Sequence, residues 1–114
     1  MVEKHITIQK AGGSWVVRAG GAVIAESDGA RMLYEGDLAP VVYFPREDVA
    51  MAFLEPSGRT THCPHKGDAT HFHIEAKSGT IADAAWSYEA PKDDVASIAG
   101  HIAFYADKVT VEQL

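Results

Sequence analysis

Short runs of alternating or β-branched residues recur along the chain, separated by glycine pairs and other turn residues. His5-Ile6-Thr7-Ile8-Gln9 alternates cleanly, placing Ile6 and Ile8 on one face of a strand. Gly12-Gly13 turns the chain into Trp15-Val16-Val17-Arg18, and Gly20-Gly21 separates that run from Ala22-Val23-Ile24-Ala25. A diglycine between two β-type runs predicts a hairpin, because a type I′ turn needs positive φ at both central positions. Residues 31–35 read equally as a strand or as a single helical turn. Val41-Val42-Tyr43-Phe44 reads as a strand held between Pro40 and Pro45.

Residues 46–54 give the best helical pattern. Pro45 suits a first turn, Glu47 and Asp48 suit the positive end of the helix dipole, and Val49, Phe53 and Leu54 share a face. Pro56-Ser57-Gly58 would end it. Residues 60–63 should be extended, since Pro64 disfavours helix at the preceding position. Residues 69–76 read as a strand with Thr70, Phe72 and Ile74 on one face and His71, His73 and Glu75 on the other, solvated face. Lys77-Ser78-Gly79 turns into residues 80–88, where Trp86 and Tyr88 project to one side. A short helix from Pro91 to Ala99 stops at Gly100. Residues 101–111 close the chain with one or two strands. The pattern totals about seven to nine short strands without a βαβ rhythm. It predicts a mainly β fold: a single compact antiparallel sheet or partly open barrel with one or two short helices.

A length of 114 residues with 46% hydrophobic content fits one domain, residues 1–114, with a core of its own. One cysteine cannot form an internal disulfide, which points to a reducing compartment. No stretch approaches the ~20 apolar residues that span a bilayer. The opening Met1-Val2-Glu3-Lys4-His5 lacks the basic-then-apolar order of a signal peptide, so a soluble cytoplasmic protein is expected. Net charge is −6, with 16 acidic against 10 basic residues and no consecutive Lys or Arg. Nucleic acid and membrane surfaces are therefore poor partners. A small ligand held by a few converging groups remains open, as does self-association.

The reactive chemistry concentrates in residues 61–73, which hold Cys63 and four of the six histidines: His62, His65, His71 and His73. One cysteine and a Cys63-Pro64-His65 spacing do not make a Cys₄ zinc site, so no metal and no cofactor are expected; a site from Cys63 or His65 with His71 and His73 is the alternative if the two segments pair. Cys63 is a nucleophile or redox thiol if a cation or imidazole lowers its pKa, with His65 to position or deprotonate it; otherwise it is a small core residue. Lys66-Gly67-Asp68 reads as a turn in which Gly67 takes positive φ or lets backbone approach a ligand, and Lys66 meets an anion. It is no P-loop. Trp86 and Tyr88 supply either a pocket wall or core packing with their polar tips on backbone.

Three segments carry a resemblance. They are Tyr43-Phe44-Pro45-Arg46-Glu47-Asp48-Val49 with Glu35 and Pro40 before it, Thr61-His62-Cys63-Pro64-His65-Lys66-Gly67-Asp68-Ala69, and Ala85-Trp86-Ser87-Tyr88-Glu89-Ala90-Pro91, followed by Gly100 and Phe104-Tyr105. Over nearly its whole length the chain resembles domain-of-unknown-function family 427, whose label invokes nucleotidyl transfer. The resemblance implies a β-tent-like domain, an architecture also found in zinc-carrying and methionine-sulfoxide-reducing domains. The paired Cys-x-x-Cys ligands of those relatives are missing here, and so is a Gly-Ser followed by a spaced aspartate pair. The expectation is a pocket lined by Tyr43, Arg46, Cys63, Lys66, Gly67, Trp86 and Tyr88, taking a small anionic or aromatic ligand. Catalysis by Cys63 with His65, and an interaction module without ligand, are the alternatives.

Overall fold

The structure is a computed structural model that describes residues 5–114; the first four residues of the N-terminal reading lie outside them. Among the described residues ten strands form three antiparallel sheets. In the first, β1 (Ile6–Lys10) pairs with β4 (Arg31–Glu35), and β4 pairs with β5 (Val41–Tyr43). In the second, β2 (Trp15–Ala19) lies between β3 (Ala22–Ser27) and β10 (Thr110–Gln113). The third runs in chain order: β6 (Leu54–Cys63), β7 (Gly67–Ala76), β8 (Gly79–Tyr88) and β9 (Ala103–Phe104). The mainly β, antiparallel expectation holds, with three sheets in place of one and no closed barrel. Among the described residues no helix is long and apolar enough to cross a membrane.

The β2–β3 hairpin turns where the diglycine predicts. Gly20 and Gly21 have φ of +55° and +80°, the left-handed region that glycine enters without steric cost. Gly20 also lies against β7: a Cβ built there would stand 2.5 Å from the Cβ of Ala76. Residues 31–35, ambiguous in sequence, are the central strand of the first sheet.

The helix expected over residues 46–54 does not form. Two 3₁₀ turns, Arg46–Asp48 and Met51–Phe53, stand there, and Leu54 already opens β6. Tertiary pairing explains the difference. Val49 is extended (φ −109°, ψ 135°) and bridges to Ala25, and the Ala50 N–H donates to the Ile24 carbonyl at 2.8 Å. With that donor committed to a neighbouring strand, a continuous helix would have to leave both groups unpaired in a buried setting. Pro56-Ser57-Gly58, read as a helix stop, instead forms an irregularity in the β6–β7 ladder between Pro56 and Thr60. Proline lacks the N–H the ladder needs, and a bulge accommodates it. The helix read over residues 91–99 is the 3₁₀ segment Asp93–Ile98, kinked at Val95.

Two apolar clusters hold the sheets together. The larger gathers Ile24, Phe44, Phe72, Ile74, Ile102 and Phe104, with the Phe44 and Phe104 rings packed edge to face at 5.8 Å. The smaller contains Leu33, Tyr43, Ala69, Tyr88, Val95 and Ile98. The third sheet therefore packs on both faces, since alternate residues of β7 and β8 turn to opposite clusters. Phe72, Ile74 and Ala85 face the larger one, while Ala69 and Tyr88 face the smaller.

Candidate functional site

The second face of the third sheet does not close completely on the first sheet. Between them lies a cavity of about 220 Å³ whose walls include Tyr43, Lys66, His71, Trp86, Tyr88 and Tyr105. The residues 36–40 connection rims it through Leu38 and Ala39, both exposed.

Strand alternation sets the wall. Ala69 and His71 on β7 and Trp86 and Tyr88 on β8 all line the cavity, and in the ladder His71 pairs with Trp86 and Ala69 with Tyr88. The rings form a connected series. Tyr43 meets Trp86 edge-on at 6.3 Å, Trp86 lies 4.4 Å from Tyr105 at a 45° tilt, and Tyr105 stacks on His71 at 6.2 Å and 15°. Trp86 Nε1 donates to the Tyr43 hydroxyl at 3.2 Å, which fixes the indole plane.

Opposite this wall stands a buried ion pair. Lys66 Nζ donates to Glu35 Oε1 at 2.5 Å, with side chains only 12% and 8% exposed. Glu35 ends β4 in the first sheet, whereas Lys66 sits in the turn that joins β6 to β7. That turn is anchored twice: the Lys66 N–H donates to the Cys63 carbonyl at 3.2 Å, and the Lys66 carbonyl accepts from the Lys92 N–H at 2.9 Å. Gly67 makes it possible, with φ +113° that an L side chain rarely adopts. The pair thus ties two sheets across the cavity. Burial draws the Lys66 pKa down, but the Glu35 hydrogen bond, with the electrostatic pull of the groups around it, outweighs burial and holds the ammonium above its ordinary value. Burial raises the hydroxyls of Tyr43, Tyr88 and Tyr105 above their ordinary value, so all three line the cavity as neutral phenols.

His71 corrects an expectation. The solvated face expected for it is not found: the residue is 1% exposed, with Tyr105 stacked on its ring and Thr61 bonded to Nε2. His71 Nε2 is bonded to Thr61 Oγ1 at 2.9 Å, and Nδ1 is buried with no partner. An unpaired buried polar atom costs on the order of 1–3 kcal/mol, so it marks a place where a ligand group or water is welcome. Burial and the Arg59 charge, joined by Lys108 and opposed by Asp83, hold the imidazole pKa below its ordinary value.

This has a pH consequence. A histidine with a depressed folded pKa contributes stability that is present above its unfolded value of 6.5 and lost as pH falls through the folded value. Urea denaturation at stepped pH should show stability falling below about pH 6.5 in the native chain. In His71→Phe, which keeps the stack on Tyr105, that part of the acid slope should disappear.

Of the other residues singled out in sequence, Cys63 ends β6 half-buried against the smaller core cluster and does not line the cavity. His65 is exposed on the rim of a separate hollow shared with Asp94 and Val95. Arg46 stands apart: Nη1 donates to Glu89 Oε2 and to the Gly100 carbonyl, both at 3.1 Å, and clamps the 46–48 turn to the end of β8. His62 pairs with Asp68 at 2.7 Å in solvent, and His73 Nδ1 accepts from the Asp83 N–H at 3.0 Å. Among the described residues no three His, Cys, Asp or Glu side chains cluster as metal ligands would.

The sequence reading passed over Glu35, His71 and Tyr105 as wall residues. Glu35 and Tyr105 were visible only as motif positions, and His71 only as part of an alternation. No curated protein matches the chain. A family model matches residues 7–113, and the chain belongs to that family, described as a domain of unknown function, DUF427, under the model name NTP_transf_9.

Proposed function

We propose that this chain binds a small, uncharged, planar ligand in the cavity between its first and third sheets. The carrying observation is the composition of that cavity: an aromatic wall of Trp86 and Tyr105 faces a buried ion pair, Glu35–Lys66, that is already neutral as a unit. A flat ring stacks on the wall, where aromatic contacts contribute about 0.5–1.5 kcal/mol beyond area burial. The ring edge then meets an ammonium with N–H donors to spare and a carboxylate acceptor.

The ion pair favours the aromatic over the anionic ligand class. An added carboxylate or phosphate would compete with Glu35 for Lys66 and would have to shed its own hydration in a site whose described wall residues include no second cation. Arg46, the other cation expected to help, is engaged elsewhere with Glu89 and Gly100. Cys63 packs half-buried against the smaller cluster and is not among the cavity's wall residues, so the ligand-binding reading needs nothing from the thiol.

Paired probes test this reading. Benzamide, nicotinamide, benzimidazole and uracil are neutral planar rings with edge donors or acceptors; benzoate and nicotinate are charged isosteres of the first two. NMR titration following the Trp86 Nε1–H should show the resonance moving with the neutral probes, and benzoate and nicotinate binding at least tenfold more weakly than their amides. Tighter binding by the acids, or no response to any neutral probe, would remove the proposal.

A further inference from the structure

The cavity is not isolated. A second hollow of about 340 Å³ adjoins it, and Ala39, Val41, Trp86 and Tyr105 belong to the walls of both. Beyond that shared wall the described residues lining the second hollow are Trp15, Met32, Pro40, Val42, Phe104, Ala106 and Val111, every one with an apolar side chain. It is roofed by the second sheet, through Trp15 on β2 and Val111 on β10, and floored by Met32 on β4 and Phe104 on β9. The Trp15 Nε1–H is already committed to the Gly12 carbonyl at 2.9 Å, so the ring offers only apolar surface to the hollow. Among the described residues no charged side chain lines it.

We infer that the two hollows form one bipartite site, and that its ligand is an amphiphile: a neutral planar head in the polar cavity, carrying an apolar arm that crosses the Trp86–Tyr105 wall into the second hollow. This rests on the binding reading above and specifies its ligand class. Two features support an arm of the same molecule. Among the described residues, the charged and hydroxyl-bearing side chains that line one hollow alone, Glu35, Lys66, Thr61, Tyr43 and Tyr88, all belong to the first cavity, as does His71. The other side offers apolar surface of the kind that gains about 0.8 kcal/mol for each methylene removed from water. A head without an arm would leave that groove wet. An apolar molecule without a head would leave the spare Lys66 donors unanswered.

Alkyl-chain dependence decides the matter. Benzamide, N-butylbenzamide and 4-butylbenzamide are titrated against the full chain, with the Trp86 Nε1–H reporting the head and a ¹³C-methyl label on Met32 reporting the arm. At least one butyl probe should bind about fourfold more tightly per methylene that enters the groove, and it alone should shift the Met32 methyl. Val111→Asp places a charge in the groove from an edge strand that pairs only with β2. The variant should lose the chain-length gain while binding benzamide like the native chain. If both butyl probes bind no better than benzamide, or the gain survives Val111→Asp with no Met32 shift, the bipartite site is wrong and the head-binding reading stands. If no probe of the series moves the Trp86 resonance, both fall. Should Val111→Asp fail to fold, the chain-length series and the Met32 shift on the native protein still decide.

Discussion

Replacing Lys66 with methionine is expected to cost about 3–5 kcal/mol of folding stability, a fall in Tm of roughly 10–20 °C for a chain this size. The loss comes less from the missing attraction than from what is left behind. Glu35 is 6% exposed, and without the ammonium its carboxylate stands in the sheet interface with its charge uncompensated. The double variant Lys66→Met/Glu35→Leu should recover most of the deficit, since an apolar pair of similar volume is often as stable as a buried ion pair. Alkali probes the same groups. Lys66 and the phenols of Tyr43, Tyr88 and Tyr105 all have raised folded pKa values, from ordinary values of 10.5 and 10.0. Their contribution is fully present below pH 10 and is lost as pH rises through the folded values. Denaturant titrations of both variants at neutral pH, with the native chain carried up to alkaline pH, measure this. A single-variant loss under about 1 kcal/mol would mean that the pair behaves like a solvated surface bridge, and the cavity would lose its polar wall.

How much of this site could be read from the sequence depends on how local each signal is. The diglycine at Gly20-Gly21 and the alternation of Trp86 and Tyr88 are short-range constraints, and both match the structure. Gly67 was legible for the same reason, because a positive φ is a property of one residue. The Glu35–Lys66 pair was not legible. Its partners stand 31 positions apart in different sheets, and nothing in either neighbourhood names the other. His71 failed in a more instructive way. Alternation correctly set it opposite Phe72 and Ile74, but an antiparallel sheet commonly leaves one face to water, and only packing from elsewhere in the chain, here Tyr105 on the ring, overrides that default. The helix expected over residues 46–54 was lost to the same kind of non-local pairing, through Ala25 and Ile24. Cys63 and the clustered histidines drew attention by residue type, yet residue type says nothing of direction. Lys66, three residues beyond Cys63, reaches the cavity while the thiol turns into the core.

The substitution with the largest expected effect on ligand binding is Trp86→Ala. Trp86 is one of four residues common to both hollows, and its side-chain N–H is bonded to another wall residue, Tyr43. Removing the indole takes away the stacking surface for the head, the ridge over which the arm passes, and the edge-on partner of Tyr43. Benzamide binding should weaken at least tenfold, in line with the ~1–3 kcal/mol that a stacked aromatic supplies. The chain-length gain of the butyl probes should vanish with it, whereas Val111→Asp removes the gain alone. Truncating a half-buried tryptophan also costs stability, on the order of 2–3 kcal/mol, so loss of binding in Trp86→Ala has to be separated from loss of fold. Trp86→Phe makes that separation. It keeps an aromatic face against Tyr105 but lacks the N–H that bonds the Tyr43 hydroxyl, so it should fold and bind benzamide within a few-fold of the native chain. Because the reporter N–H is gone in both variants, binding is followed by calorimetry. If Trp86→Ala folds and binds benzamide as the native chain does, the ligand does not lie on this wall, and the cavity is a packing defect between two sheets.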